Sequence, residues 1–465
     1  MRGTKNLNTL LSALLFSILF FSCETTKSVA TNSVATGNPS WIMNGNIYEV
    51  NIRQYTPEGT FNAFAENLDR LKEMGVQTLW FMPIQPISVK DRKGSLGSYY
   101  AIEDYTRVNS EFGTMEDWNN LVKSAHNKGF KVIIDWVANH TGADHRWLIQ
   151  HPDFYVKDSS GKPIAPFDWT DVRKLDYTND KLRELMIASM KFWIDQSDID
   201  GFRCDVAGEV PDDFWSRCIA ELREAKDIFM LAEGDKPSLH TDGFNATYGW
   251  PLFSKAKEVA KGVSPASDLD TINKTYREKF PYNALFLNFT SNHDENSWNK
   301  ADYETMPGSV HAPFAVLTFT TERSVPLIYS GQEEPVLRKL AFFDKDTINF
   351  DQYHRAGFYK SLTELRRNNQ ALGSDASFRK VKVGDEKFLY AFVREKGDRK
   401  VFVLLNFSDH PEIVNIRDSS LYGFPTNILK GTNEKIGGVS FMMQPWGYTL
   451  YDYPAPVKVG GKNEQ

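Results

Sequence analysis

The chain has 465 residues, 41% hydrophobic and 25% charged, enough to bury a large core as about three domains or as one large barrel with additions. Its formal net charge of −6 leaves no basic footprint, so nucleic acid is not an expected partner. Aromatic residues, at 13% with 11 tryptophans, suit a cleft that offers flat apolar faces to sugars and suit a large core equally well, so composition alone does not decide.

In chain order, Arg2 and Lys5 precede the apolar run LLSALLFSILFFSC, which ends at Cys23. A basic start followed by a short apolar stretch predicts an export signal over residues 1–23, too short for a comfortable membrane span. The closing FFSC resembles a bacterial lipoprotein box, which implies lipidation of Cys23 and a membrane partner reached through that anchor; a plain signal with a chance cysteine is the alternative. The chain is then expected to be exported and membrane-tethered, at the cell surface or facing the periplasm. Residues 24–44 read as a flexible tether. Cys204 and Cys218 are too few for a disulfide framework and are expected as buried free thiols.

From 45 to 375 one grammar repeats, helix then glycine then apolar strand. Phe61, Phe64, Leu68 and Leu71 form a helical stripe that ends at Gly75, before TLWFMPI. Met115, Trp118, Leu121, Val122 and Ala125 form the next, with Thr114 and Asp117 as a capping box and Gly129 before KVIIDWV. Further apolar strands lie within DQSDIDGFRCDVA, AKDIFMLAEGD, YNALFLNFTSNHDE and SVPLIYSGQEE. Alternating helices and strands over this length predict a closed (β/α)8 barrel, a TIM barrel of the α/β class. The stretch 141–179 is too long for an ordinary βα connection and, with its aromatics, predicts a small inserted subdomain. Beyond it, 376–455 reads as an antiparallel β domain, a sandwich built from FRKVKV, KFLYAFVRE, KVFVLLNFS and GYTLYDY, with 456–465 as a tail.

Active sites of such barrels lie at the C-terminal ends of the strands. Here those ends carry Asp135 with Asn139 and His140, Arg203 with Asp205, Glu233, and His293 with Asp294. In DGFRCDVA, Arg203 and Asp205 share one strand face. A structural ion pair would explain that couple alone, but packing does not explain polar groups converging on one rim. Paired carboxylates with an arginine suggest glycoside hydrolysis, in which one carboxylate attacks and one carboxylic acid protonates the leaving oxygen. On this expectation Arg203 depresses the pKa of Asp205, and partial burial raises that of Glu233.

These motifs resemble the α-amylase family, glycoside hydrolase family 13. DWVANH, GFRCDVA, LAEGD and SNHDE are similar to its motifs on barrel strands three, four, five and seven, and IYEVNIRQY, SYYAIEDY and IYSGQE to three others, in family order. The resemblance implies that Asp205 is the nucleophile, Glu233 the general acid/base and Asp294 the third carboxylate, which stabilises the transition state. It implies that Arg203 steers Asp205, that His140 and His293 donate hydrogen bonds to the sugar, that Tyr100 stacks beneath it, and that Asp135 is structural, with Asn139 beside it.

Two departures are visible. Many α-amylases carry Lys-His after the nucleophile, where this chain has Gly208 and Glu209, which implies a preference for short substrates. At the position of a calcium-binding aspartate stands Lys174, no ligand for a hard cation, so neither a metal nor another cofactor is expected. The implied substrate is a starch-derived α-glucan or maltooligosaccharide. An α-1,6-glucosidase, a trehalose-active enzyme or a transglycosylase would use the same residues, and a non-catalytic glucan-binding lipoprotein would need only the cleft.

Overall fold

The computed structural model describes residues 37–300, 304–438 and 440–453. The expected signal, Cys23, most of the tether and the tail at 456–465 lie outside the described residues. At the end of the expected tether, Ser40–Met43 form a helical turn whose Ile42 is buried. Among the described residues no helix is long and apolar enough to cross a membrane.

Eight parallel strands close a barrel. They are β1 (Ile47–Val50), β2 (Thr78–Phe81) and β3 (Lys131–Trp136), then, after β4 (His140–Gly142) and β5 (Val172–Lys174), β6 (Gly201–Cys204), β7 (Phe229–Ala232), β8 (Ala246–Tyr248), β9 (Leu285–Asn288) and β10 (Ser324–Tyr329). Around the barrel the order is β1-β2-β3-β6-β7-β8-β9-β10, and β10 pairs back with β1. Strands covered on both faces read as near-continuous apolar runs. Ile47, Trp80, Ile133, Leu231, Tyr248, Leu287 and Leu327 fill the interior, and Tyr48, Phe81, Ile134, Phe202 and Cys204 pack outward against the helices. The chain passes so tightly at the start of β6 that a Cβ on Gly201 would lie 1.9 Å from the Phe229 carbonyl oxygen.

The first helical stripe is broken into α1 (Phe61–Ala65) and α2 (Leu68–Glu73). Asn67 turns its amide back to the Ala63 carbonyl at 3.2 Å, the local competition that makes asparagine a poor helix-interior residue. In α3 (Met115–Asn127) the capping box forms, with Thr114 and Asp117 exchanging hydrogen bonds between side chain and backbone. The inserted stretch carries the antiparallel pair β4–β5. Cys204 and Cys218 are buried free thiols.

The C-terminal part is antiparallel: β11 (Ser377–Lys380), β12 (Leu389–Lys396), β13 (Arg399–Asn406), β14 (Glu412–Asn415), β15 (Thr426–Asn427), β16 (Thr432–Asn433), β17 (Ser440–Met443) and β18 (Tyr448–Tyr453). Six of these form one sheet, ordered β11-β12-β13-β18-β15-β16, and β14 pairs with β17 alone.

Candidate active site

Side chains alternate across a strand, so β6 sends Phe202 and Cys204 to the helices and Arg203 into the barrel. A guanidinium at 0% exposure requires partners, and it has four. Nη1 donates to Asp135 on β3 at 2.8 Å and to Asp205 at 3.1 Å, Nη2 lies 2.9 Å from Glu233 Oε2, and Nε donates to the Tyr248 hydroxyl on β8 at 3.0 Å. Trp80, Tyr100 and Tyr248 turn their ring faces to it at 5.2, 5.7 and 5.5 Å.

Asp205, Glu233 and Asp294 follow the ends of β6, β7 and β9 and open, with Tyr100, His140 and His293, onto one cleft of about 500 Å³. Asp135 and Arg203 lie beneath it, wholly buried. Asn139 is buried between β3 and β4 and donates to His140 Nδ1 at 3.3 Å. The imidazole of His140 therefore carries its proton on Nε2, and burial holds its pKa down to about 3, so it is neutral. Tyr100 donates to Asp135 at 3.1 Å, touches His293 Nε2 at 2.8 Å and lies parallel to Phe342.

The charge balance corrects the sequence expectation. Burial and the nearby Glu233 push Asp205 well above the usual carboxylate range, more than Arg203 lowers it. Burial also pushes Glu233 up, but Arg203 and the Val206 N–H, which donates to Oε2 at 2.7 Å, bring it below its ordinary value. The geometry gives the reason. Glu233 has one guanidinium nitrogen and a backbone donor, whereas Asp205 shares Nη1 with Asp135. Val206, whose N–H makes this bond, takes a left-handed φ of +36°, a conformation that costs a β-branched residue roughly 1–3 kcal/mol.

Three segments are knit into a wall on one side of the cleft. The connection after β2 reaches the inserted stretch through Lys93–Asp171 at 3.2 Å, through the Asp91–Arg173 pair, and through the Val89 and Lys90 N–H groups, both 2.9 Å from Asp144. It reaches the segment after β10 through Leu96 N–H to Phe343 O at 3.0 Å and through Ser95 to Asp344. Trp169, Phe342 and Phe343 line the cleft along this wall, and Trp298 lines it beside them. On the Glu233 side, Gly208 and Glu209 form a 3-10 turn. There Lys236, from the connection after β7, donates to the Gly208 carbonyl at 2.6 Å.

Sequence reasoning placed the aromatics of the inserted stretch, Trp169 among them, beside the site, and missed Glu49, Tyr248, Trp298, Phe342 and Phe343. Glu49 carried a signal, a lone acid inside the apolar run IYEV. Tyr248 carried none, because β8 is three residues long and shows no periodicity.

Residues 28–173 and 166–387 match the family model described as alpha amylase, catalytic domain. The chain is 26% identical to Alpha-amylase MalA of Haloarcula japonica over 398 residues, 81% of this chain and 57% of that protein, so it spans somewhat over half that relative's length. It is 27% identical to Alpha-amylase 3 of Dictyoglomus thermophilum, with 80% of this chain and 86% of that one covered. Among solved structures, the noncanonic maltogenic alpha-amylase AmyB from Thermotoga neapolitana superposes with a TM-score of 0.81 at 26% identity, covering 88% of this chain and 99% of that one.

Proposed function

The chain belongs to the alpha-amylase family of glycoside hydrolases, and we propose that it is a retaining enzyme cleaving α-glucosidic bonds, chiefly α-1,4, in maltooligosaccharides. One observation carries this reading: Asp205, Glu233 and Asp294 meet at one cleft, two of them on the same buried guanidinium. Asp205 attacks the anomeric carbon while Glu233 protonates the departing oxygen, and Glu233 then takes a proton from the water that releases the sugar. Asp294 binds sugar hydroxyls and stabilises the positive charge that develops on the ring. Tyr100 lies under the sugar, and His140 and His293 donate to it.

Double displacement needs the shared proton on Glu233. Arg203 and the Val206 N–H favour the ionised form of Glu233, so proton donation requires sugar binding to weaken those contacts. Arg203 then serves the aspartate it is placed to orient.

The wall supports short substrates, because it turns one side of the cleft into a barrier against which a chain end can seat. A time course on amylose tests this together with linkage, in parallel with pullulan, isomaltose and trehalose. Glucose or maltose appears early from amylose and maltooligosaccharides, with little loss of iodine staining. Rapid loss of staining with little small sugar would contradict it. Turnover confined to isomaltose, to pullulan or to trehalose would replace the α-1,4 assignment with one of the family's other linkages.

Calcium has no place in the reading. Near Asn139 the side-chain amide nitrogen faces His140, the main-chain carbonyl accepts from Leu175, and the residue opposite His140 in the β4–β5 ladder is Lys174, whose ammonium is no ligand for a hard cation. Chelator treatment accordingly leaves the melting midpoint and the activity unchanged. A large drop reversed by added calcium would contradict this.

For location, the run ending at Cys23 supports an exported chain tethered to a membrane by a lipid on that cysteine.

A further inference from the structure

On β1, Glu49 points into the barrel, level with Trp80 on β2 and Tyr329 on β10, and is wholly buried. A carboxylate in that position is costly unless it is paired. Its Oε1 lies 2.5 Å from His293 Nδ1, while Oε2 has no hydrogen-bond partner among the described residues. The other ring nitrogen, Nε2, lies 2.8 Å from the Tyr100 hydroxyl and 3.3 Å from Asp294 Oδ2. Tyr100 spends its own proton on Asp135, so its oxygen is free to accept from Nε2. With Glu49 at Nδ1 and Asp294 at Nε2, a proton on each nitrogen satisfies the acceptors at both ends of the ring. The result is one polar chain across the floor of the cleft, from Glu49 through His293, Tyr100 and Asp135 to Arg203.

We propose that Glu49 is a positioning residue that keeps His293 an imidazolium and aims its Nε2–H at the cleft, where it serves turnover; this rests on the glycosidase reading above. Every charged group facing His293 enters the balance. Burial opposes the charge, Asp294 and Glu49 overcome it, and Arg203 works against them, leaving a pKa of about 9. Asp135 and Glu233 also feel the imidazolium. The site thus holds two histidines in different charge states: His140, bonded to a neutral amide, and His293, bonded to a carboxylate. An imidazolium is a stronger donor than a neutral ring and presents it to a hydroxyl beside Asp294.

The test is Glu49→Gln in the full-length protein, which keeps the shape and removes the charge. Histidine-labelled NMR, with the His293 signal identified by its loss in His293→Gln, follows the ring across pH. Wild-type His293 stays cationic through neutral pH and titrates near about 9, whereas in Glu49→Gln it titrates at or below the ordinary value of about 6.5. The basic limb of kcat/KM moves to lower pH with it. A wild-type ring that is neutral at neutral pH overturns the proposal even if the variant does not fold. So does an unchanged titration in Glu49→Gln, or a shifted titration with an unmoved kcat/KM profile. If neither form turns over any α-glucan while the titrations differ as stated, the imidazolium assignment stands and the glycosidase reading fails.

Discussion

Asp205→Asn lowers kcat on maltooligosaccharides by on the order of 10⁴-fold or more while the chain remains folded. The amide has the shape of the carboxylate and lacks its attacking oxygen anion. The fold does not suffer, because Arg203 keeps Asp135 and Glu233 as partners. It gains instead. Burial and Glu233 raise the pKa of Asp205, so the folded state binds its proton more tightly than the unfolded chain does. Stability from this group is complete below the ordinary value of 3.8 and falls as pH rises above it. The variant, free of that loss, melts at or above the wild type at neutral pH, and the gap closes in acid. Kinetics and thermal melts at two pH values check both halves. Turnover close to wild type with an unchanged melting profile would remove Asp205 from the nucleophile's role.

Glu233→Gln has the second large effect, and it depends on the substrate. Natural maltooligosaccharides leave as alkoxides and need the acid, so their first step slows by roughly 10²–10⁴-fold. Activated aryl glucosides and glucosyl fluoride leave unaided, and their first step slows little. The glutamine can still accept the Val206 N–H, which spans 2.7 Å in the wild type, so the loss is chemical rather than positional. Equal losses on both substrate types would argue that another group donates the proton.

The residues that gather at this cleft were legible wherever ionisable residues interrupt apolar strands. Arg203 stood out because a guanidinium inside GFRCD breaks a buried run, and the same logic applied to Glu49 in IYEV would have found the partner of His293. The barrel was legible from six apolar strands and two helical stripes, with the first strand supplied by the family resemblance of IYEVNIRQY. The eighth was not, because Ala246–Tyr248 is too short to carry a pattern, and Tyr248 was lost with it. The first helix read as continuous because its apolar stripe is continuous. The break comes from one side chain, Asn67, competing for a backbone carbonyl. The direction of the two carboxyl shifts was also out of reach. It depends on which oxygen meets Nη2 of Arg203 and on the Val206 backbone turning its N–H to Glu233, and neither follows from residue order.

The central claim, attack by Asp205 with assistance from Glu233, is tested most directly in the Glu233→Gln protein given α-glucosyl fluoride. Fluoride departs as the glucosyl carbon bonds to the Asp205 carboxylate, and without its base the variant releases the sugar slowly. Mass spectrometry of the intact chain and of its peptides then shows one added glucosyl group, on the peptide that contains Asp205. An adduct on a different carboxylate, or fluoride release with no adduct at any time, would contradict it.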